Sequence, residues 1–343
     1  MIDVAKEAGV SRTTASFVLN DKEAGIPEET RQRVLDAAER LNYRPHAGAQ
    51  ALATGRTNRI GLVLIDPVCF RQGDGYFTSI VNGIVEGAVR NDRNLLFHSA
   101  HYPDVKSLEV DILNGSTDGV LLVGRSEEDE LTRSLLDAGF PVVCLSYRLN
   151  REDCWSVDCD NEQGGALAVR HLLSLGHRRI AFFGPHGASW GDARYAGARA
   201  ALADAGLSED CLYSFGWSES ATPEEKRDWI RSAGEFLRTE KPRPTALMCS
   251  DEARARSLVE ALPSCGIEVP RDLAVVSFNS TDMSARTRPS LTSVWQPLQE
   301  IGVAAVDRLV QRIAGEAPEP RALLFPMRLD VRESTSGAAV SCS

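Results

Sequence analysis

The stretch DVAKEAGVSRTTASFVLN, residues 3–20, decides how this chain begins to fold. Val4, Ala5 and Ala8 set an apolar face on a short first helix, with Asp3 available to cap it. Gly9 follows where that helix must stop, because glycine tolerates the positive φ of a helix-ending turn. Val10 plugs the turn, and Ser11 offers a side-chain oxygen to cap a second helix. Ala15, Val18 and Leu19 turn the stripe of that helix toward the first. The pattern predicts a helix-turn-helix, a motif whose second helix puts its amino-terminal end into a DNA major groove. Arg12, Thr13, Thr14, Ser16 and Phe17 occupy that end. An ordinary helical hairpin without a ligand is the alternative. Small residues at the crossing and a hydroxyl-rich second helix favour DNA.

Downstream, a third helix is expected over residues 27–41. Pro27 suits its first turn, Glu28 and Glu29 suit its positive end, and Val34, Leu35, Ala38 and Leu41 form the stripe to be buried. Tyr43-Arg44-Pro45 stops it. The next segment, HAGAQALATGRT (46–57), is Ala-rich, bracketed by Pro45 and Gly55, and weakened by Gly48. It is too short to hold a helix alone, since about 12–15 residues are needed even for good helix formers. It is either a linker or a segment that folds only against a partner.

From Arg59 the pattern changes to apolar runs alternating with amphipathic stretches. Strands are expected at 60–66, 95–100, 119–123, 141–146, 179–184, 245–250 and 274–279, with helices around 77–92, 128–138, 161–175, 190–206, 222–238 and 251–264. Continuous apolar strands separated by helices make parallel sheets covered on both faces. The alternation restarts after residue 158, which predicts two doubly wound lobes with ligand-binding loops at the carboxyl ends of the strands. The expected organisation is a helical head (1–43), a linker (44–58), a first lobe (59–158 with 294–318), a second lobe (159–293 with 319–333) and a disordered polar tail, STSGAAVSCS (334–343).

The 343 residues carry a net charge of −10, which at first argues against a nucleic-acid partner. Residues 1–59 nevertheless hold nine Lys/Arg against eight Asp/Glu, and 44–59 hold three arginines and no acid. Phosphate attraction per head is modest, so a dimer with two heads is the expected binding unit. The eight cysteines are scattered, with no C-x-x-C and no Cys/His quartet at zinc spacing, so neither metal nor cofactor is expected. No run approaches the roughly 18 apolar residues of a membrane span. MIDVAKEAG lacks the features of a secretion signal, and a cytoplasmic protein is the expectation.

The helix-turn-helix is followed by YRPHAGAQALATGRTNRIGLV (43–63), VDCDNEQGG (157–165), LLSLGHRRIAFFG (172–184) and RYAGARAALADAGL (194–207). PTALMCSDEARA (244–255), VPRDLAVVSFN (269–279) and PSLTSVWQPLQEIG (289–302) complete an ordered set that runs nearly end to end. In these motifs the chain resembles the lactose-repressor (LacI/GalR) family of bacterial transcription regulators. The resemblance implies a homodimeric regulator, a repressor rather than an activator by the family habit, whose core is like a periplasmic sugar-binding protein. It places Ser11, Arg12, Thr13, Thr14, Ser16 and Phe17 on operator DNA, with Asn20 closing the motif. Phe17 stands where arginine is common, so apolar contact with a thymine methyl replaces a bidentate guanine pair.

The same resemblance makes 46–53 a hinge helix that orders on double-stranded DNA. Leu52 is then the wedge that parts a central base step, with Ala49 one turn earlier. His46 and Gly48 depart from the family pattern there. A small-molecule effector, sugar-like in most members, is implied between the lobes. Arg194 would hold its hydroxyls or carboxylate by a bidentate fork, and Trp217 would stack on its apolar face. Asn279 replaces a frequent Asp, which keeps sugars possible and makes anions easier to admit. Ser250 replaces a frequent Asn, and Tyr76, Phe77, Ser146, Tyr147 and Gln296 complete the implied lining. Three crossings between lobes are expected near 157–160, 291–296 and 317–323.

Two other classes compete. An enzyme would need a signature such as G-x-S-x-G, a Walker loop, H-E-x-x-H or a strand-borne G-x-G-x-x-G, and none is present. An exported binding protein would match the core and leave the helix-turn-helix without a purpose.

Overall fold

The computed structural model describes residues 1–19, 25–44, 48, 55–64, 75–124, 129–147, 151–185, 189–217 and 223–337, the side chains of 217 and 223–227 excepted. The head contains α1 (Ile2–Glu7), α2 (Arg12–Leu19) and α3 (Glu28–Arg40). Gly9 has φ +66° between the first two helices, and the Ser11 hydroxyl accepts from the Thr14 amide at 3.0 Å. Asp3 lies inside the first turn of α1 rather than capping it, because the helix already starts at Ile2. Val4, Ala5, Ala8, Ala15, Val18, Val34, Ala37 and Ala38 form the head's core. Ala37 takes the place expected of Leu35 and Leu41, which remain 42% and 44% exposed. With such small helices, the spacing 34, 37, 38 fills the available contact and leaves position 35 off its edge.

The first lobe is a sheet of order β11-β5-β4-β3-β1-β2. Its strands are β1 (Arg59–Leu64), β2 (Asn94–Phe97), β3 (Gly119–Val123), β4 (Val142–Leu145), β5 (Trp155–Cys159) and β11 (Ala322–Phe325), all parallel to their neighbours. It is flanked by α4 (Gly75–Arg90), α5 (Val105–Ile112), α6 (Glu130–Asp137) and α12 (Leu298–Ile313). The second lobe repeats the plan with order β12-β10-β9-β8-β6-β7. Its strands are β6 (Ile180–Pro185), β7 (Leu212–Trp217), β8 (Ala246–Cys249), β9 (Ala274–Asn279), β10 (Thr292–Trp295) and β12 (Arg328–Asp330), and only the β10–β12 pair is antiparallel. Its helices are α7 (Asn161–Ser174), α8 (Ser189–Asp204), α9 (Pro223–Thr239), α10 (Glu252–Ala261) and α11 (Asp282–Arg286).

The seven expected strands are present and parallel, and all but the edge strand β2 are buried as a continuous apolar run requires. Beyond them lie β5, β7, β10, β11 and β12, and the helices α5, α11 and α12, which the alternating pattern does not announce. One helix pair in each lobe crosses at notches that only glycine permits. A Cβ on Gly83 of α4 would stand 2.0 Å from the Gln299 carbonyl, and one on Gly302 of α12 would stand 2.4 Å from that of Ile80. Between α7 and α8, Gly165 and Gly197 play the same reciprocal part, at 2.0 Å from the Arg194 carbonyl and 1.9 Å from that of Glu162.

The chain passes between lobes after Cys159, after Trp295 and after Phe325. The third passage therefore falls later than the 317–323 expected. ALLF at 322–325 pairs with β5 as an edge strand, so 319–325 stays with the first lobe, while Val294 and Trp295 belong to the second. The tail expected to be disordered from residue 334 is ordered at its start. Glu333–Thr335 forms a single turn with Ser334 and Thr335 buried. The Ser334 hydroxyl donates to the Val275 carbonyl at 2.6 Å and accepts from the Thr292 amide at 2.8 Å, so a small polar residue satisfies strand ends it would otherwise leave bare. Residues 338–343 lie outside the description.

Candidate nucleic-acid interface and interlobe cleft

On the head, Ala15 and Val18 face inward while Ser11, Arg12 and Thr13 are exposed and Thr14, Ser16 and Phe17 are half-buried. Thr14 has its hydroxyl engaged by Ser11 at 2.8 Å, so both serve the helix start. Arg12 has no ion-pair partner among the described residues and is available to a phosphate or a base edge. Asn20, Ala49 and Leu52 lie outside the described residues, as does most of the expected hinge.

At the carboxyl ends of the strands the two lobes meet over a polar collar. Arg194 leaves the first turns of α8 and is only 4% exposed. Its Nε donates to Asn161 Oδ1 at 2.9 Å, and its Nη1 donates to the Ser250 carbonyl at 2.5 Å. The guanidinium lies against the rings of Phe278, 4.2 Å from the centroid, and Trp190, 4.9 Å away. Two of its five N–H groups are thereby committed. Asn161 opens α7 and is itself fixed, its Nδ2 donating to Asp158 Oδ2 at 3.2 Å and to the Cys159 carbonyl at 3.3 Å. The Gly165–Gly197 notch behind this pair sets how close α7 and α8 can come.

Across the collar, Gln296 Nε2 donates to Asn279 Oδ1 at 2.7 Å, and the Cys159 thiol donates to Gln296 Oε1 at 3.3 Å. Asn279 ends β9 with φ +90°, a conformation that costs a side-chain-bearing residue energy and re-aims its amide. Ser146, past the end of β4, has φ +58° and accepts the phenol of Tyr76. Phe77 packs edge-on to Tyr76 at 5.2 Å. Burial, with the carboxylate of Asp158 nearby, holds the Tyr76 phenol far above its usual range.

The structure thus brings Tyr76, Phe77, Ser146, Arg194, Asn279 and Gln296 to one place. Ser250 joins through its backbone carbonyl, and its hydroxyl is buried without a partner among the described residues. Tyr147 does not join. Neighbouring residues past β4 point to opposite faces, and its ring sits with Leu131 and Leu135 in the outer cluster of the first lobe. The side chain of Trp217 lies outside the description. Sequence reading missed Asp158, Cys159, Asn161, Trp190 and Phe278. The first three lie inside VDCDNEQGG, whose place at a strand end before a helix was the available signal.

A three-helix head with an exposed recognition-type helix, joined to two lobes that enclose a polar collar, defines a class: regulators that read DNA and carry a small-molecule pocket. Residues 1–46 match the family model "Bacterial regulatory proteins, lacI family", and residues 169–335 match a periplasmic binding protein-like domain. The chain is 33% identical over 340 residues to the HTH-type transcriptional regulator CelR of Thermobifida fusca, covering 96% of each. Among solved structures it superposes on a transcriptional regulator CelR–cellobiose complex with TM-score 0.72 and 28% identity, covering 97% of this chain and 98% of that one. It superposes on the Lac repressor dimer bound to operator and the anti-inducer ONPF with TM-score 0.77 and 25% identity, again covering 97% and 98%. The chain belongs to the lacI family of bacterial regulatory proteins and is a DNA-binding regulator of transcription.

Proposed function

We propose that the chain is a repressor that binds operator DNA as a homodimer and releases or grips it according to a sugar or sugar derivative held between its lobes. Arg12, Thr13, Ser16 and Phe17 read the major groove, Ser11 and Thr14 set the helix start, and Asn20, Ala49 and Leu52 extend the contact. Arg194, Asn279, Gln296, Tyr76, Phe77 and Ser146 hold the effector, with Ser250 positioning Arg194 and Trp217 offering a stacking face. The observation that carries this reading is Arg194, a buried cation at the junction of two separately folded sheets, with three N–H groups uncommitted among the described residues. The sugar complex of a related regulator supports the ligand class.

A homodimer is supported by an apolar edge on the first lobe. Val85 and Val89 of α4, Phe97 of β2, and Val110 and Leu113 on and after α5 are exposed together, Val89 by 75%. The bond from His98 to Asp111 at 2.8 Å ties the end of β2 to α5, so these side chains belong to one surface. Contiguous exposed apolar area of this kind marks an interface, and a two-fold pair would bury it against itself. Among the described residues no helix is long and apolar enough to cross a membrane, in keeping with a cytoplasmic regulator.

The test begins with duplexes selected from a random pool by the full chain. A screen of sugars, sugar acids and purines then seeks a ligand that shifts their affinity. Arg194→Ala should bind the selected duplex as the unaltered chain does and lose the ligand's effect. Arg194→Lys should lose it too, because an ammonium keeps the charge without the planar fork. A normal dose response in both variants would show that the cleft is not the effector site.

A further inference from the structure

We propose that Asp158 fixes the charge class of the effector: the cleft takes a cationic polyhydroxylated molecule, in chemical terms an amino sugar, and turns away carboxylate and phosphate counterparts. This rests on the cleft reading above and narrows it. Asp158 is the penultimate residue of β5, where the first sheet hands the chain to α7. Its Oδ1 accepts from the Cys159 amide at 2.7 Å and its Oδ2 from Asn161 Nδ2 at 3.2 Å. A carboxylate offers about four acceptor positions, so both oxygens retain capacity.

Among the described residues no cation lies within 4.0 Å of this carboxylate. Arg194 reaches it only through space, its Nε being committed to Asn161 and its face to Phe278 and Trp190. Asp158 is half-buried, so its charge is partly desolvated without an ion-pair partner to offset the cost, and a bound ammonium would supply that partner. An anion would find no surplus of positive charge here. The fields of Asp158 and Asp251 already act on Arg194 from beyond ion-pair reach, and the partner of Asp251 is Arg254 at 2.7 Å. Asn279 in place of an acid lowers the negative charge of the cleft, and Asp158 restores it. The ligand's hydroxyls then fall to the free N–H groups of Arg194 and the amide of Asn279.

Three hexoses of one size probe this: D-glucosamine, D-glucose and D-glucuronate, added separately to the full chain at neutral pH while thermal unfolding is followed. A ligand of the native state raises the midpoint by mass action. The unaltered chain should respond in that order, with glucosamine and glucuronate separated by about tenfold or more in apparent Kd. Asp158→Asn, confirmed as folded by its own unfolding transition, should bring glucosamine level with glucose. Equal or reversed ranking in the unaltered chain, no response to any of the three, or a preference that survives Asp158→Asn would overturn the proposal. Arg194→Ala separates the two readings. If responses vanish there while Asp158→Asn keeps its preference, the charge assignment alone fails; if they persist there, the cleft reading fails.

Discussion

Burial acts on Arg194 and Asp158 in opposite directions. It lowers the arginine's affinity for its proton, which the neighbouring acids and Tyr76 oppose, and the guanidinium stays cationic. It pushes the Asp158 carboxyl up to about 6, against the Cys159 amide and Arg194, which pull it down. The native value lies above the unfolded value of about 3.9, so the folded state holds the proton more tightly. The stabilisation this brings is complete below about pH 4 and is lost as pH rises through the native value. Asp158→Asn should therefore gain on the unaltered, unliganded chain between pH 4 and 7, as read by the difference in unfolding midpoint. A difference that stays flat with pH would contradict it. Of the groups facing Asp158, Tyr76 from α4 and Cys159 from β5 are both pushed upward, out of this window. Asp160 before α7, Arg194 on α8, and Asp251 with Arg254 at α10 are common to both proteins and cancel in the difference. Arg194, Asn279 and Gln296 were legible in the sequence through the family resemblance of the motifs that hold them, RYAG, AVVSFN and SVWQPL. Asp158 was not, because its importance comes from what fails to lie beside it.

Helices and strands were legible where one physical signal dominated. Each expected strand is a continuous apolar run, and Ser11 and Gly9 punctuate the head as their chemistry requires. WSVDC and TSVW mix polar residues into four- or five-residue strands, and their burial is set by neighbours rather than by pattern. Helix crossings were not legible either, since a glycine within a helix says nothing of what it faces. Gly197 faces the Glu162 carbonyl, 1.9 Å from where a Cβ would stand, and backbone cannot rotate aside. Gly197→Ala gains helix propensity of about 1 kcal/mol but must separate α7 from α8, and overpacking costs about 1–3 kcal/mol. The unfolding midpoint should fall. Gly234→Ala on α9 is the comparison, its obstacle being Cys265 Sγ at 2.8 Å, a side-chain end that can turn away. It should fall less, and equal losses would mean that the crossing is not the cause. Because Asn161 adjoins Glu162 and Arg194 lies one turn before Gly197, the same strain would also pull the Arg194–Asn161 bond apart.

For the whole molecule, the question is how a change between the lobes reaches a head that reads DNA, and one carboxylate stands at the junction. Asp118, just before β3, accepts at Oδ1 from the Thr57 amide at 2.7 Å and the Thr57 hydroxyl at 2.8 Å. Its Oδ2 accepts from the Asn58 amide at 2.9 Å. Arg93 Nη1 donates to Asn58 Oδ1 at 2.5 Å, and the Asn94 amide donates to the Asn58 carbonyl at 3.0 Å, so the residues entering β1 are gripped from β3 and β2 together. Asn58 adopts φ +55° within this grip, which fixes the direction in which the chain leaves the lobe. A lobe that moves carries Thr57 and Asn58 with it as one body, whereas a loose junction would let the linker absorb the motion. Effector control is a coupling free energy between two binding events, in many proteins a change of about 5–150-fold in affinity. Asp118→Ala should leave the ligand-induced rise in unfolding midpoint intact, since the collar around Arg194 is untouched. It should also leave some affinity for the selected duplex, and bring the ratio of duplex affinities with and without ligand toward one. Titrating the duplex at saturating and zero ligand measures that ratio directly. A variant that binds both ligands with an unchanged ratio would mean that the signal leaves the lobe elsewhere and that the Asp118 grip serves stability alone.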